Sequence, residues 1–386
     1  MKLAIVHDWL TGMRGGERVL EALCTHYPDA ELFTLIHVRG SVAPVVERRR
    51  IHTSLAQRFP AVRHYYRKCL PLYPALVEQF DLERFDVVIS SSHCVAKSVI
   101  TRPDTVHVCY CHTPMRYAWD QFEAYFGPGR LGPIPSRLMR SVMAWLARWD
   151  RDTAYRVDRY LTNSQHVAGR VRRYYNREAL VVYPPVDTEF FHPDSAVPER
   201  FALVVSALVP YKRLEVAIDA CRRARMPLKI VGTGPDRERL ERRADGGVEF
   251  LGWVADADLR QLYRRASFAL MTGEEDFGIA PLEAQACGRP VVALGRGGAL
   301  ESILPGETGI LVDTPAPEAF AEAIGEVERR RFDPVAIRRH AEQFSRVRFA
   351  AQIDAALQDT LASAPTRRSA PRVASGAEVP AIQSRC

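Results

Sequence analysis

The sequence predicts an α/β protein of two domains, each built on a parallel sheet flanked by helices. Three observations carry that reading. The 386 residues are too many for one ordinary hydrophobic core and suit two. Short apolar runs alternate with helix-length segments, the pattern of βαβ units rather than hairpins. The alternation lapses over residues 183–200, YPPVDTEFFHPDSAVPER, which are rich in proline and acid and lack any period. It restarts at residue 202, so the lapse reads as an interdomain linker.

Leu3 to Asp8 is a buried-type strand, followed by a loop to Gly16 and a helix from Glu17 to His26. Gly15 and Gly16 let the backbone approach a ligand closely; the pattern is not GxGxxG, so a nicotinamide cofactor is not indicated. Ala30 to Leu35 is the second strand. Residues 48–74, RRRIHTSLAQRFPAVRHYYRKCLPLYP, interleave cations with aromatics. They suit either an anionic membrane surface or the solvated face of a helical insertion. Phe85 to Ser92 is a strand, with His93 and Lys97 on a following helix. Val106 to His112 is the next strand and leads into HTPMRYAWD. His112 thus stands at a strand's carboxyl end, where open parallel sheets bind ligands. Leu138 to Val157 reads as a helix, either a second membrane-facing surface or a packed helix with a basic side. Tyr160 to Ser164 and Leu180 to Tyr183 close the first domain.

The second domain begins with a strand over Ala202 to Leu208, then VPYKR and a helix from Leu214. Leu228 to Val231 leads into the turn GTGPD, which contains Gly234. Val248 to Val254 is a strand and Asp256 to Arg265 a helix. Asp256 and Asp258 spell DxD, but acids at a helix start favour its dipole without a metal, and no metal site is read there. The chain is then organised around FALMTGEEDFGIAPLEAQACGRP (268–290). Phe268 to Thr272 is a strand and Gly273 to Gly278 a polar loop. Pro281 reads as the first residue of a short helix, Glu283 falls in its first turn, and Gly288 ends it. Free amides of Gly278, Ile279 and Ala280 at that helix start form a seat for a phosphate or a sugar oxygen. Glu275 and Glu283 flank the seat and suit neutral diols. Amides for an anion beside acids for hydroxyls describe a pocket for a nucleotide sugar. Val291 to Leu294 and Gly309 to Asp313 are strands. Between them GRGGALE brings two glycines that permit close backbone approach and Glu301, which caps the next helix. Val335 to Leu361 is helical. The expected division is 1–190, 196–345, a helix over 346–361, and a disordered tail over 362–386.

The acidic string resembles the E-x7-E signature of the retaining glycosyltransferases of family 4, with Glu275 and Glu283 on its two acids; the resemblance extends over about 350 residues. Within the family it looks most like the bacterial O-antigen and exopolysaccharide mannosyltransferases. The resemblance implies the GT-B fold: two Rossmann-like domains facing across a cleft, with the C-terminal helix returning to the N-terminal domain. It implies an acceptor-side first domain and a nucleotide-sugar-binding second one. Gly15 and Gly16 would face the donor across the cleft, and His112 would lie close to the donor sugar as an orienting and catalytic group. Lys212 would neutralise the diphosphate, with Arg213, Gly234, Phe277, Gly278, Ile279 and Ala280 around it. Glu283 would hold the ribose and Glu275 the transferred hexose. Arg116, Trp119 and Asp120 would shape the acceptor mouth. The family usually pairs the lysine with an arginine five positions earlier, where this chain has Ala207; Arg213 or a residue of the other domain is then needed as second cation.

The function so implied is retaining transfer of a hexose, mannose from GDP-mannose by the nearest branch, to a polyprenyl-diphosphate-linked saccharide, without a cofactor or metal. A nucleotide-sugar epimerase of the same fold, or a non-catalytic binding module, are the alternatives. Composition agrees with a globular protein: 47% hydrophobic and 26% charged residues, with no apolar run of membrane-spanning length. The first residues start directly in a strand, so no signal peptide is expected. Eight scattered cysteines without CxxC suggest reduced thiols. The net charge of +7 permits contact with anionic lipid. Nucleic acid is not indicated, because no binding motif accompanies that charge. The expected location is the cytoplasm, peripheral to the inner face of the membrane.

Overall fold

Two all-parallel sheets define the molecule, a computed structural model in which residues 1–363 are described. The first holds β1 (Leu3–His7), β2 (Glu31–Thr34), β3 (Ile51–Thr53), β4 (Val87–Ser92), β5 (Val106–Cys111), β6 (Arg159–Thr162) and β7 (Ala179–Val181), in the order 3-2-1-4-5-6-7. The second holds β8 (Ala202–Val205), β9 (Leu228–Val231), β10 (Val248–Gly252), β11 (Phe268–Met271), β12 (Val291–Leu294) and β13 (Gly309–Val312), in the order 10-9-8-11-12-13. Each order reverses once, between β1 and β4 and between β8 and β11. Such reversals open a crevice at the carboxyl ends of the strands, and parallel sheets bind ligands there.

The strands read as continuous apolar runs because both faces are covered. In the first sheet Ala4, Val6 and Val88 face one core and Ile5, Ile89 and Val108 the other. In the second, Val204, Leu270 and Val292 face one core and Leu203, Ala269 and Ala293 the other. Numbering only helices of eight residues or more, the covering elements are α1 (Gly15–His26), α2 (Pro133–Asp152), α3 (Gln165–Tyr175), α4 (Leu214–Arg223), α5 (Asp256–Arg265), α6 (Ile279–Ala286), α7 (Pro317–Arg329), α8 (Pro334–Ala341) and α9 (Arg346–Ser363). Helix α9 crosses back to the first sheet. Its Phe349, Ile353, Ala356 and Leu357 join the core of Ile5, Val108 and Tyr110, and its Asp354 accepts from His26 at 2.8 Å and Tyr27 at 2.7 Å.

Several boundaries differ from expectation. Residues 48–74 are not one basic face: they contain β3 and then short helical turns, whose Tyr66, Cys69, Leu70 and Tyr73 enter the core. Lys97 lies in a single tight turn (Ala96–Ser98), is buried, and pairs with buried Asp150 at 3.0 Å. Helix α2 starts earlier than expected, because Gly132 in the left-handed region is followed by Pro133 at the first position, and it stops at Asp152. Strand β8 ends at Val205, short of Leu208. Helix α6 starts at Ile279, so Pro281 is its third residue rather than its first, and Glu283 sits a full turn in. The helix expected over Val335–Leu361 is two. They break because Phe344 turns inward onto Phe277 and Tyr183, while Ser345 pairs with Val186 of the linker. Ala362 and Ser363 complete α9; the rest of the expected tail lies outside the described residues.

Candidate active site in the interdomain cleft

The acidic loop between β11 and α6 is held by its own backbone packing. Thr272 Oγ1 donates to the carbonyls of Lys212 (3.1 Å) and Arg213 (2.9 Å), joining the loops that follow β8 and β11. Gly273 packs so closely on Lys212 that a Cβ would come within 2.7 Å of its Cα. Gly298 donates to the Glu275 carbonyl at 2.9 Å, and a Cβ on it would meet Phe277 Cα at 2.1 Å. The close approach permitted by the GRGG glycines therefore serves the acidic loop itself. Phe277, expected among the donor contacts, is buried and stacks on Tyr183 with ring centroids 5.4 Å apart. Its ring anchors the loop in the core and cannot reach a ligand. Gly234 likewise packs on the Leu208 backbone.

Two helix starts meet across the cleft. No side chain caps α6 at Gly278, which leaves the amides of Ile279 and Ala280 to a ligand. Opposite them, a Cβ on Gly15 would lie 3.7 Å from Ile279 Cδ1, and one on Gly16 would lie 3.5 Å from His112 Nε2. His112 follows β5 directly. Its Nε2 bonds Ser91 Oγ at 2.8 Å, and Ser91 Oγ bonds His7 Nδ1 at 3.0 Å. Burial, with the neighbouring His93 and His7, holds His112 well below the usual histidine range, so it is a neutral ring. Asp8, at the end of β1, accepts from the amides of His93, Cys94, Val95 and Ala96 at 2.7–2.9 Å and fixes the turn behind this group.

The charged groups converge from both domains. Lys212 and Glu275 form an ion pair. Burial and the Arg116 guanidinium push the Lys212 ammonium down to about 7, against the pull of Asp276. Asp276 is buried between Arg116, which touches it, and Arg170 at 3.2 Å. Burial works to raise its carboxyl, and the two guanidiniums outweigh burial and leave it below the ordinary range. Glu283 is 9% exposed and accepts from Tyr263 Oη at 2.9 Å. Burial raises its carboxyl, although Arg18 and the Tyr263 hydrogen bond oppose the shift. Arg18 belongs to α1 and also grips Asp256 with two 2.7 Å contacts, so Glu283 stands at the edge of the cleft. Asp256 is thereby an interdomain ion-pair partner, and among the described residues no cluster could hold a metal ion.

The residues expected at the acceptor mouth separate. Arg116 reaches across to Asp276, and Asp120 pairs with Arg170 at 2.7 Å. Trp119 instead donates to buried Asp150 at 2.8 Å and stacks on Tyr174, so it is a packing anchor. Arg116, Asp120, Arg170, Tyr211, Arg213 and Glu275 line a cleft of about 490 Å3. Ala207 is exposed. Glu301 does not cap its own helix: its carboxylate accepts from Gln165 N at 2.8 Å and His166 N at 3.2 Å, at the start of α3 in the other domain. His7, Asp8, Ser91, Arg18 and Arg170 escaped the sequence reading. The only signal for the first three was their place at strand ends beside a reversal of strand order.

Residues 13–190 match the family described as Glycosyltransferase Family 4, and residues 199–329 match Glycosyl transferases group 1. The two matched stretches coincide with the two Rossmann-like domains, and the fold is GT-B. Among relatives of this chain, a D-inositol 3-phosphate glycosyltransferase of Geodermatophilus obscurus is 33% identical over 222 residues, 49% of each chain. A GDP-mannose-dependent alpha-(1-6)-phosphatidylinositol dimannoside mannosyltransferase of Mycobacterium tuberculosis is 40% identical over 135 residues, 34% of this chain and 35% of that one. The chain spans half the length or less of these curated relatives. Among solved structures, Anabaena HepE in complex with UDP superposes with a TM-score of 0.67 at 18% identity, covering 93% of this chain and all of HepE. Sucrose-phosphate synthase from Thermosynechococcus elongatus gives 0.68 at 16%, covering 94% of this chain and all of that one. At those identities the likeness is one of fold.

Proposed function

We propose that this glycosyltransferase moves a hexose, with mannose from GDP-mannose as the preferred donor, to a lipid-linked saccharide during surface polysaccharide assembly, with retention at the anomeric carbon. One arrangement carries the reading: the ammonium of Lys212 and the uncapped start of α6 stand beside Glu275 and Glu283, facing Gly15, Gly16 and His112 across the cleft. Lys212 and the α6 amides meet the diphosphate, where charge grows as the sugar leaves. Glu275 exchanges Lys212 for hydroxyls of the hexose. Glu283 takes the ribose hydroxyls. Neutral His112, oriented by Ser91, hydrogen-bonds the sugar. A donor phosphate oxygen takes the acceptor proton, so no separate base is required.

Mannose and a lipid-borne acceptor draw support from the M. tuberculosis relative, whose name gives GDP-mannose and a phosphatidylinositol mannoside. The UDP-bound HepE structure supports a second reading with a UDP-hexose donor. Incubation with GDP-mannose, UDP-glucose and UDP-galactose, with and without a polyprenyl-diphosphate-linked saccharide, separates these by product mass. The expected product is mannosyl-acceptor. Sugar conversion without acceptor would indicate an epimerase, and binding without turnover a non-catalytic module.

No described helix is long and apolar enough to cross a membrane. Helix α2 nevertheless exposes Ile134 (81%), Leu138 (69%) and Trp145 on one stripe, with Arg137, Arg140 and Arg148 beside it. This amphipathic surface is the proposed contact with the anionic inner face of the membrane. Anionic liposomes should sediment the protein at low salt, and L138E should abolish that; failure of wild type to bind removes the membrane part of the proposal.

A further inference from the structure

Two cations of opposite domains rest on one aromatic ring in the cleft. Lys212 Nζ lies 5.0 Å from the Tyr211 ring centroid, and Arg116 Cζ lies 5.6 Å from it. Each is closed on an acid of the same loop, Lys212 on Glu275 and Arg116 on Asp276. Both are mostly buried, at 14% and 16% exposure of their side chains. Position 207, on the C-terminal side of the cleft, brings no charge. The charge of Arg116 also bears on Lys212, helping to depress its ammonium.

The partners of Asp276 show what Arg116 is free to do. Arg170 reaches the other carboxylate oxygen at 3.2 Å. If Arg116 withdraws, Asp276 keeps one guanidinium and is not left as an unpaired buried charge, which would be costly. Arg170 in turn keeps Asp120 at 2.7 Å. Arg116 is therefore the guanidinium that can leave the network at least cost, and its planar fork suits phosphate oxygens.

We infer that Arg116 is the second cation of the phosphate site: it leaves Asp276 for the donor diphosphate, opposite Lys212, and supplies from the N-terminal domain the charge that Ala207 does not. The inference rests on the nucleotide-sugar reading of the cleft. The donor diphosphate thereby displaces Asp276 from Arg116 and Glu275 from Lys212. Since Arg116 and Lys212 come from different domains, a bound diphosphate becomes a bridge between them.

Calorimetric titration with GDP, UDP and inorganic pyrophosphate tests this on wild type, R116A, D276N, R116A/A207R and, as a remote charge control, R172A. R116A should bind roughly ten- to hundredfold more weakly, the loss of one charged hydrogen-bonding partner. D276N should bind as well as wild type or better, because it releases the guanidinium. A207R should restore most of the affinity lost in R116A, and R172A should change nothing. Should R116A fail to fold by circular dichroism, R116Q carries the same expectation. Equal binding by wild type and R116A overturns the inference. So does a D276N loss as large as that of R116A, which would make Arg116 a mere partner of the acid, and so does an A207R that restores nothing. Wild type that binds none of the three ligands removes the nucleotide-sugar reading itself.

Discussion

Replacing Glu283 by glutamine separates the ligand-binding reading of this residue from a purely structural one. The ionised carboxylate is buried, and burial raises its pKa against the opposition of Arg18 and Tyr263. An acid with a raised folded-state pKa lowers stability wherever it is ionised, and that cost fades as pH falls through the raised value. Glutamine removes the charge and keeps an oxygen for Tyr263 Oη, while Arg18 keeps Asp256. The melting temperature of E283Q at pH 7 should hold or rise. Donor affinity should fall. Hydrogen bonds to a charged group contribute about 1.5–3 kcal/mol against about 0.5–1.5 for neutral ones, so two ribose hydroxyls lose about 2–3 kcal/mol, or roughly 30- to 150-fold in Kd. Wild-type affinity should also weaken on acidification, beginning above the ordinary glutamate value of 4.5, while that of E283Q stays flat. Differential scanning fluorimetry and calorimetric titration with the nucleotide sugar read both quantities. A melting temperature that drops while affinity is unchanged would refute the reasoning and leave Glu283 as a structural partner of Tyr263.

Further expectations concern the other charged groups. K212Q should cut the transfer rate about 10²–10³-fold, as when a preorganised donor to a developing charge is removed. Because Lys212 is pushed down to about 7, donor binding should take up a proton at pH 8 and weaken as pH rises through 7. Titration in buffers of different ionisation enthalpy measures this uptake, and K212Q should abolish it. His107, lowered to about 4, and His112, held well below the usual histidine range by burial, stay neutral when folded and charge when unfolded. His107 should therefore remove about 1.4 kcal/mol of stability per pH unit as pH falls from about 6 to 4, and His112 should act in the same direction. Urea unfolding of wild type, H107N and H112N checks the slope, which should be shallower in both variants.

Local strings made much of the fold legible. Strands such as Val106–Cys111 and Val291–Leu294 are short apolar runs between polar turns, and helix α5 is framed by acids at its start and arginines at its end. Residues 48–74 were harder, because β3 and the turns after it carry no period; their apolar side chains reach the core singly. The start of α6 was misplaced because Pro281 is tolerated through the first turn and does not mark a single position. In the cleft, Glu275, Glu283 and the amides between them lie in one continuous string and could be read together. Arg116 meets Asp276 across 160 positions, and Arg18 meets Asp256 across 238. Neither pairing leaves a local trace, so a basic residue that serves the opposite domain looks like any surface arginine. Trp119 shows the converse: its neighbours in sequence suggested a ligand mouth, and its indole is committed to Asp150.

Helix α9 has a consequence for how the protein is made. Helix α1 covers part of the first sheet's face with Val19, Leu20 and Leu23, but the face around Val108 and Tyr110 stays incompletely covered until Phe349, Ile353 and Leu357 are made. During synthesis that face waits in the nascent protein as an open apolar surface, a feature that invites chaperones or mispairing. The amino-terminal half expressed alone would inherit the same bare surface, and α9 supplied in trans as a peptide should quiet its aggregation.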